Sequence, residues 1–299
     1  MTDATAKPAS PKKGDDKGEK KKVGVVDEMI EIVKTVVYAL LIALFLRMIL
    51  FQPFTIPSAS DEPNLYQGDY IIVTKWSYGW SYHSIPFSPH LFDGRILSTP
   101  PKRGDIVVFW NAPDSKDYIK RLIGLPGDRI QLRSGLLYIN GTPVKEKLLG
   151  YSMGDLPGGV APVKILQETN PEGRSYKIQE QASGVEEAGD TGVYVVPPHC
   201  YFMMGDNRDN SADSRFDPGL PPGDPKLGGC AWNSAVDERV GYMTGVGFVP
   251  EENLEGRAAM VLLSWNTGKG ENDPCCASLW KPWTWITYAR PTRFFKVLQ

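Results

Sequence analysis

One long apolar segment does most to limit how this chain can fold. It reads "TVVYALLIALFLRMILF" from Thr35 to Phe51, and "MIEIVK" precedes it. Together the two stretches approach the roughly 20 residues that an α-helix needs to cross a bilayer. Arg47 lies near one end, where its side chain can reach the headgroups, and Pro53 ends the helix. The sequence therefore predicts one membrane-spanning helix over residues 29–52.

Residues 1–28 predict a disordered, lysine-rich tail, because seven lysines and few apolar side chains occur before residue 23. Positive flanks stay on the cytoplasmic side of a membrane, so we expect a cytoplasmic N-terminus and an extracytoplasmic domain over residues 53–299. A cleaved signal peptide is the alternative, since Ser58-Ala59-Ser60 resembles a small-x-small processing site. The long tail and the long apolar run favour an uncleaved anchor.

Beyond the anchor, short apolar runs between turn residues predict mainly β structure. "GDYIIVTK" and "RGDIVVFW" look like strands that follow Gly-Asp turns. Leu125-Pro126-Gly127-Asp128 has the composition of a type II turn, in which glycine accepts the positive φ. Asn140-Gly141 is a strong hairpin signal. We therefore expect a sheet-rich domain behind one helix.

Composition limits the classes of ligand and macromolecular partner that we expect this chain to bind. A net charge of −2 gives no reason to expect a nucleic-acid partner. The chain has three histidines, and its four cysteines form no C-x-x-C pair, so neither a zinc site nor another metal is expected. No cofactor is predicted. The pairing of the cysteines is left open; they are Cys200, Cys230, Cys275 and Cys276.

Hydrolytic chemistry needs a nucleophile and a base that takes its proton, and a lysine is the candidate for that base in this chain. The histidines lie in loop-like surroundings, whereas a lysine can act as a base when burial removes its charge. Strand alternation places Tyr118, Lys120 and Leu122 on one face, which can be an inner face. By pattern alone, the favoured alternative is a strand-edge lysine with its ammonium group in water.

The stretch "MGDNRDNSADSRFD" is the densest polar segment after the strands. A calcium loop could use Asp206, Asp209 and Asp213, but Arg208 falls where an EF-hand ligand should be. We favour a solvated loop over a calcium loop. Once the other segments are considered, we favour over both an active-site loop that carries hydroxyl groups.

Three segments together resemble the ordered motifs of bacterial type I signal peptidases. They are "IPSASDEPNLYQGDYIIVTK", "RGDIVVFW…DYIKRLIGLPGDRI" and "GDNRDNSADSR", in this order after the apolar anchor. The resemblance extends from about residue 30 to residue 259 and includes "VGFVPEENLEGRA". It implies a mainly β, signal-peptidase-like barrel or sheet domain with one N-terminal transmembrane helix.

The resemblance implies that Ser60 is the nucleophile and Lys120 the general base of an acyl-transfer reaction. It also implies that the Ser58 hydroxyl and the Ser60 backbone N–H form the oxyanion hole. The substrates implied are secretory preproteins with small residues at positions −1 and −3, and the implied surroundings are a phospholipid membrane.

Three further residues are implied to support the site. Ser211 matches a hydroxyl that orients the lysine amine, and Asp213 and Arg215 match a charged pair. An inserted segment of about residues 217–245 departs from the family pattern, and its role is left open.

Asp61 is a sharper departure, because the family usually has methionine after the nucleophile. A carboxylate near the lysine amine would stabilise the ammonium and impair the base, whereas strand alternation would turn Asp61 towards solvent. An alternative hypothesis is therefore an inactive relative that binds signal peptides without cutting them. A self-cleaving Ser/Lys regulator is a weaker alternative, opposed by the membrane segment and by the lack of a DNA-binding helix pair.

The C-terminal segment mixes aromatic and basic residues. This mixture favours the lipid headgroup region, and a strand or helix packed on the core is an equal alternative. The aromatic residues concerned are Trp280, Trp283, Trp285, Tyr288, Phe294 and Phe295.

Overall fold

The computed structural model describes residues 24–85, 90, 92–182, 187–221, 223–231, 244–266, 281 and 283–298. The chain divides into two units, Met1–Leu44 and Phe45–Gln299. The predicted tail lies almost wholly outside the described residues. Helix α1 covers Val25–Ile49, and its 25 residues make it about 37 Å long. It is long and apolar enough to cross a hydrocarbon core of about 30 Å.

The second unit is built mainly from strands, as the sequence predicts. In chain order they are β1 Phe51–Thr55, β2 Asp69–Thr74, β3 Ile106–Asn111, β4 Lys116–Gly124, β5 Arg129–Arg133, β6 Leu136–Ile139, β7 Thr142–Pro143, β8 Lys145–Leu156, β9 Gly159–Thr169, β10 Ser175–Gln181, β11 Tyr194–Val195, β12 Cys200–Met204, β13 Val249–Pro250, β14 Leu254–Ser264 and β15 Lys296–Val297. A short helix, α2, covers Trp283–Thr287.

The largest sheet has eight strands in the order β1-β2-β14-β3-β4-β12-β13, with β15 also paired to β14. Strands β10-β9-β8 form a second sheet and β11-β5-β6-β7 a third. The late strand β14 therefore joins the β1-β2 hairpin to the β3-β4 hairpin. Its register places Arg257 opposite both Thr74 of β2 and Val107 of β3.

Two predicted turns are confirmed. The Asp128 N–H donates to the Leu125 carbonyl at 3.0 Å, and Gly127 has φ +89°. Asn140 and Gly141 have φ values of +54° and +79° and connect β6 to β7. All three φ values lie where glycine or asparagine is tolerated, which explains why these residues mark the turns.

The large sheet is buried on both faces. Val108 packs in a cluster with Ile71 and Val261, whereas its neighbour Phe109 packs in another with Leu122. Because successive side chains of a strand point to opposite faces, β3 contributes to both clusters. Lys120 of β4, which is 3% exposed, is one polar side chain that this arrangement removes from water.

The structure pairs two of the four cysteines. A disulfide joins Cys200 of β12 to Cys230 in the inserted segment. Cys275 and Cys276 lie outside the described residues.

The C-terminal segment packs on the domain and also exposes part of its surface. Trp265 contacts the ring of Trp285 edge-on at 5.1 Å, and β15 pairs with β14. Trp283 and Phe295 remain 65% and 62% exposed. Contact with lipid headgroups stays a prediction, and Trp280 lies outside the described residues.

Candidate active site

The segment after β1 presents the candidate nucleophile. The chain leaves β1, and a turn begins at Ser60, where the Asp61 carbonyl accepts the N–H groups of Asn64 and Leu65 at 3.0 and 2.9 Å. Ser60 is 9% exposed, whereas Ser58 is exposed. Their hydroxyl oxygens are 3.3 Å apart. The structure thus brings the predicted nucleophile and the predicted oxyanion donor together.

Lys120 lies on β4 and reaches the same hydroxyl. Its Nζ is 2.6 Å from Ser60 Oγ and donates to the Ile119 carbonyl at 2.8 Å. The side chain is 4% exposed. The alternative of a lysine with its ammonium in water is wrong, because Lys120 is enclosed beside Ser60.

Asp61 is buried beside both groups. Its Oδ2 lies 3.6 Å from Lys120 Nζ and accepts a hydrogen bond from Ser60 Oγ at 3.3 Å. Burial raises the pKa of Asp61 to about 6, with nearby Lys120 opposing the rise. The expectation that alternation turns Asp61 towards solvent is wrong. Residues 60–65 form a turn, in which adjacent side chains do not alternate across a sheet.

Asn207 holds the nucleophile segment in place, although sequence reasoning did not select it. Its N–H donates to the Ser60 carbonyl at 3.0 Å. Its side-chain amide donates to the carbonyls of Ala59 and Asp155 at 3.2 and 2.6 Å. The sequence feature that could have identified Asn207 is an amide residue within a charged loop, because asparagine can bind several backbone groups at once.

Gly205 allows the polar loop to approach the nucleophile closely. A Cβ at this position would lie 2.2 Å from Ser211 Oγ and 2.5 Å from the Ser60 carbonyl oxygen. Ser211 is therefore packed near Ser60, as predicted. Its buried Oγ makes no hydrogen bond to any residue in the described part of the chain. The role of Ser211 in orienting the amine stays a prediction.

Asp213 and Arg215 form a buried bidentate pair. Arg215 Nε and Nη2 donate to the two carboxylate oxygens of Asp213, each at 2.9 Å. Burial alone would raise the pKa of Asp213, but the Arg215 guanidinium and its hydrogen bonds hold it below its ordinary value. Asp213 also accepts the Gly205 N–H at 3.1 Å, so the pair fixes the start of the loop.

The acids considered for a calcium loop have other partners. Asp206 accepts from Arg121 Nε and Nη2 at 2.6 and 2.8 Å. Asp209 accepts the Gln181 N–H at 2.6 Å. Among the residues that the structure describes, no group of His, Cys, Asp and Glu side chains could hold a metal ion.

These features place a buried serine and lysine together in a mainly β domain that follows an apolar helix. Residues 29–265 match the sequence model of the family described as signal peptidase, peptidase S26. The chain belongs to this family and is therefore a peptidase.

Individual relatives agree with this assignment. Signal peptidase I of Rickettsia typhi is 37% identical over 272 residues, which cover 87% of this chain and 90% of the relative. Signal peptidase I of Rickettsia prowazekii has the same identity and coverage. A solved signal peptidase I from Enterococcus faecalis is 23% identical, with a TM-score of 0.27, over 53% of this chain and 97% of its own. The family match and the two Rickettsia relatives do not favour the inactive relative or the self-cleaving regulator.

Proposed function

We propose that this protein is a membrane-anchored serine endopeptidase that removes signal peptides from secretory preproteins, with Ser60 as nucleophile and Lys120 as general base. The observation that carries the proposal is the 2.6 Å distance between Lys120 Nζ and Ser60 Oγ, two buried groups. A base must lie within hydrogen-bond reach of the proton it removes, and this pair meets that condition.

The reaction follows from this geometry. Neutral Lys120 takes the proton of Ser60 while Oγ bonds to the carbonyl carbon of the scissile peptide. The resulting ammonium gives the proton to the departing amine as the C–N bond breaks. Water then attacks the Ser60 ester, with Lys120 again accepting a proton. The bond between the acyl carbon and Oγ breaks, the Lys120 ammonium returns the proton to Ser60 Oγ, and the signal peptide leaves with a new carboxyl group at its C-terminus.

Ser58 and the Ser60 backbone N–H supply the proposed oxyanion hole. The Ser58 hydroxyl lies 3.3 Å from Ser60 Oγ and is exposed, so it can meet a substrate carbonyl that arrives at the nucleophile. Donors aimed at the developing negative charge stabilise the transition state more than the substrate. Substrates with small residues at positions −1 and −3 belong to this proposal.

The orientation in the membrane is part of the same proposal. The lysine-rich tail before α1 favours a cytoplasmic N-terminus, which puts the domain from residue 53 onwards on the extracytoplasmic side. Exposed Trp283 and Phe295 in the C-terminal segment suit contact with phospholipid headgroups.

The test uses the full-length chain in detergent micelles with a purified preprotein. We expect Ser60→Ala and Lys120→Ala each to abolish cleavage while circular dichroism stays unchanged, because the two groups act as a unit. Lys116→Ala, an exposed lysine on the same strand, is the matched control and should cleave normally. Cleavage near the wild-type rate in either dyad variant would refute the assignment.

A further inference from the structure

The carboxylate of Asp61 touches both reacting side chains. Its Oδ2 is 3.3 Å from Ser60 Oγ and 3.6 Å from Lys120 Nζ. The residue is 1% exposed, and within the described residues its Oδ1 has no hydrogen-bond partner. A buried, incompletely bonded carboxylate is costly, so its position beside the serine and lysine calls for a function.

We infer that Asp61 is a third catalytic residue of this chain, and that it stabilises the ammonium formed on Lys120 when Ser60 attacks the substrate. The inference rests on the proposed roles of Ser60 and Lys120 and adds to them.

The charges around Asp61 leave Lys120 as its main electrostatic partner. Lys120 and Arg121 of β4 are the two cationic groups near Asp61. Asp206, which follows β12, is the anionic group near it. Arg121 and Asp206 bind each other through two hydrogen bonds and largely cancel. Desolvation raises the pKa of Asp61 to about 6, so the carboxylate is charged at the higher pH values where a lysine base loses its proton.

The carboxylate then has two opposite effects. In the resting enzyme it interacts more favourably with a charged amine at Nζ than with a neutral one, because opposite charges attract. During attack, the Ser60 proton moves to Nζ as the Oγ–carbon bond forms, and a new ammonium arises 3.6 Å from Asp61. Asp61 stays deprotonated throughout and acts as the aspartate of a Ser-His-Asp triad acts on its imidazolium.

The expected size of each effect follows from the distance between the Asp61 carboxylate and Lys120 Nζ. An opposite charge within about 4–6 Å changes a proton equilibrium by about 1–3 units. Removing the charge of Asp61 should therefore move the rising limb of the curve of kcat/KM against pH to lower pH by about 1–2 units. If about half of the proton charge has reached Nζ in the transition state, the same removal lowers the high-pH plateau by about three- to tenfold.

The experiment compares kcat/KM from pH 6 to 11 for the wild type and Asp61→Asn, which keeps the shape and removes the charge. The full-length chain in detergent micelles cleaves one purified preprotein. We expect the profiles to cross, with the variant faster near neutrality and slower on the alkaline plateau. Asp61→Met, which restores the family residue, should shift the limb in the same direction. Glu62→Gln, at the neighbouring carboxylate, is the control and should follow the wild-type profile.

A second measurement does not depend on turnover. In the Ser60→Ala background, the ¹⁵N resonance of Lys120 Nζ is titrated with and without Asp61→Asn, and the midpoint should fall by about 1–2 units.

Superimposable profiles, or a variant that is slower at every pH with an unmoved limb and midpoint, would overturn the role of Asp61. If wild type fails to cleave any preprotein, or Ser60→Ala cleaves it, the proposed function fails instead. The lysine titration then still decides whether Asp61 stabilises the ammonium.

Discussion

The buried pair of Arg208 and Glu168 offers a demanding test of how the active-site loop is held. Arg208 Nη2 lies 2.6 Å from Glu168 Oε2, and the side chains are 2% and 0% exposed. Arg208 Nε also donates to the Gly205 carbonyl at 3.2 Å. The pair thus joins the loop that follows β12 to strand β9. Removing one partner of such a pair leaves an uncompensated buried charge, which typically costs about 3–5 kcal/mol.

The perturbation is Arg208→Met, which keeps much of the aliphatic volume and removes the charge. The remaining carboxylate can escape its penalty by taking up a proton. For a carboxyl group with an ordinary pKa of about 4.3, protonation costs about 3.7 kcal/mol at pH 7 and about 1 kcal/mol at pH 5. In the variant the folded state favours the protonated form, so stability is present at low pH and is lost as pH rises. The destabilisation should therefore be about 2–3 kcal/mol larger at pH 7 than at pH 5.

The assay is urea unfolding of the full-length chain in detergent micelles, followed by tryptophan fluorescence at both pH values. Adding Glu168→Gln to the variant should recover most of the loss at pH 7, because no buried charge then remains. Arg129→Met, at an exposed arginine, should change the free energy of unfolding little at either pH. An equal loss at pH 5 and pH 7 would refute the argument from an uncompensated charge.

Two further predictions concern the nucleophile and its neighbours. Ser58→Ala should lower kcat by about 10²–10³-fold with little change in KM, the usual effect of losing one oxyanion donor; a change in KM alone would show that Ser58 only lines the substrate groove. Gly205→Ala would place a methyl group 2.2 Å from Ser211 Oγ and 2.5 Å from the Ser60 carbonyl oxygen. It should destabilise the fold by about 1–3 kcal/mol and slow cleavage, as measured by urea unfolding and preprotein processing; normal values of both would mean that the loop can move away freely.

Local sequence signals predicted the turns but not the order of the strands. The Leu125–Asp128 turn and the Asn140-Gly141 hairpin depend on a few adjacent residues, so their chemistry is visible in the sequence. The placement of β14 between β2 and β3 depends on pairing between distant segments. No short pattern encodes such a partner, since any strand with the right alternation can fill the place.

In the candidate active site too, local motifs were predictable from the sequence, whereas contacts between distant segments were not. Ser60 and Lys120 stand in recognisable motifs, and the structure brings them together. The position of Asp61 was not predictable from alternation, because the local turn decides where its carboxylate points. Asn207 donates to the Ala59 carbonyl across a sequence separation of 148, and a hydrogen bond between such distant segments forms only in the folded domain.

The central place of β14 bears on when the enzyme becomes able to cut. Ser60 lies in the connection between β1 and β2, Lys120 belongs to the β3-β4 hairpin, and β14 lies between the two hairpins. A growing chain has made both hairpins long before it makes the strand that joins them. Pairing between distant segments is also slow to form, because the intervening loop must close first. On the proposed roles of Ser60 and Lys120, chains that end before β14 should therefore lack an assembled nucleophile and base, and cleavage activity should appear only once β14 has been synthesised.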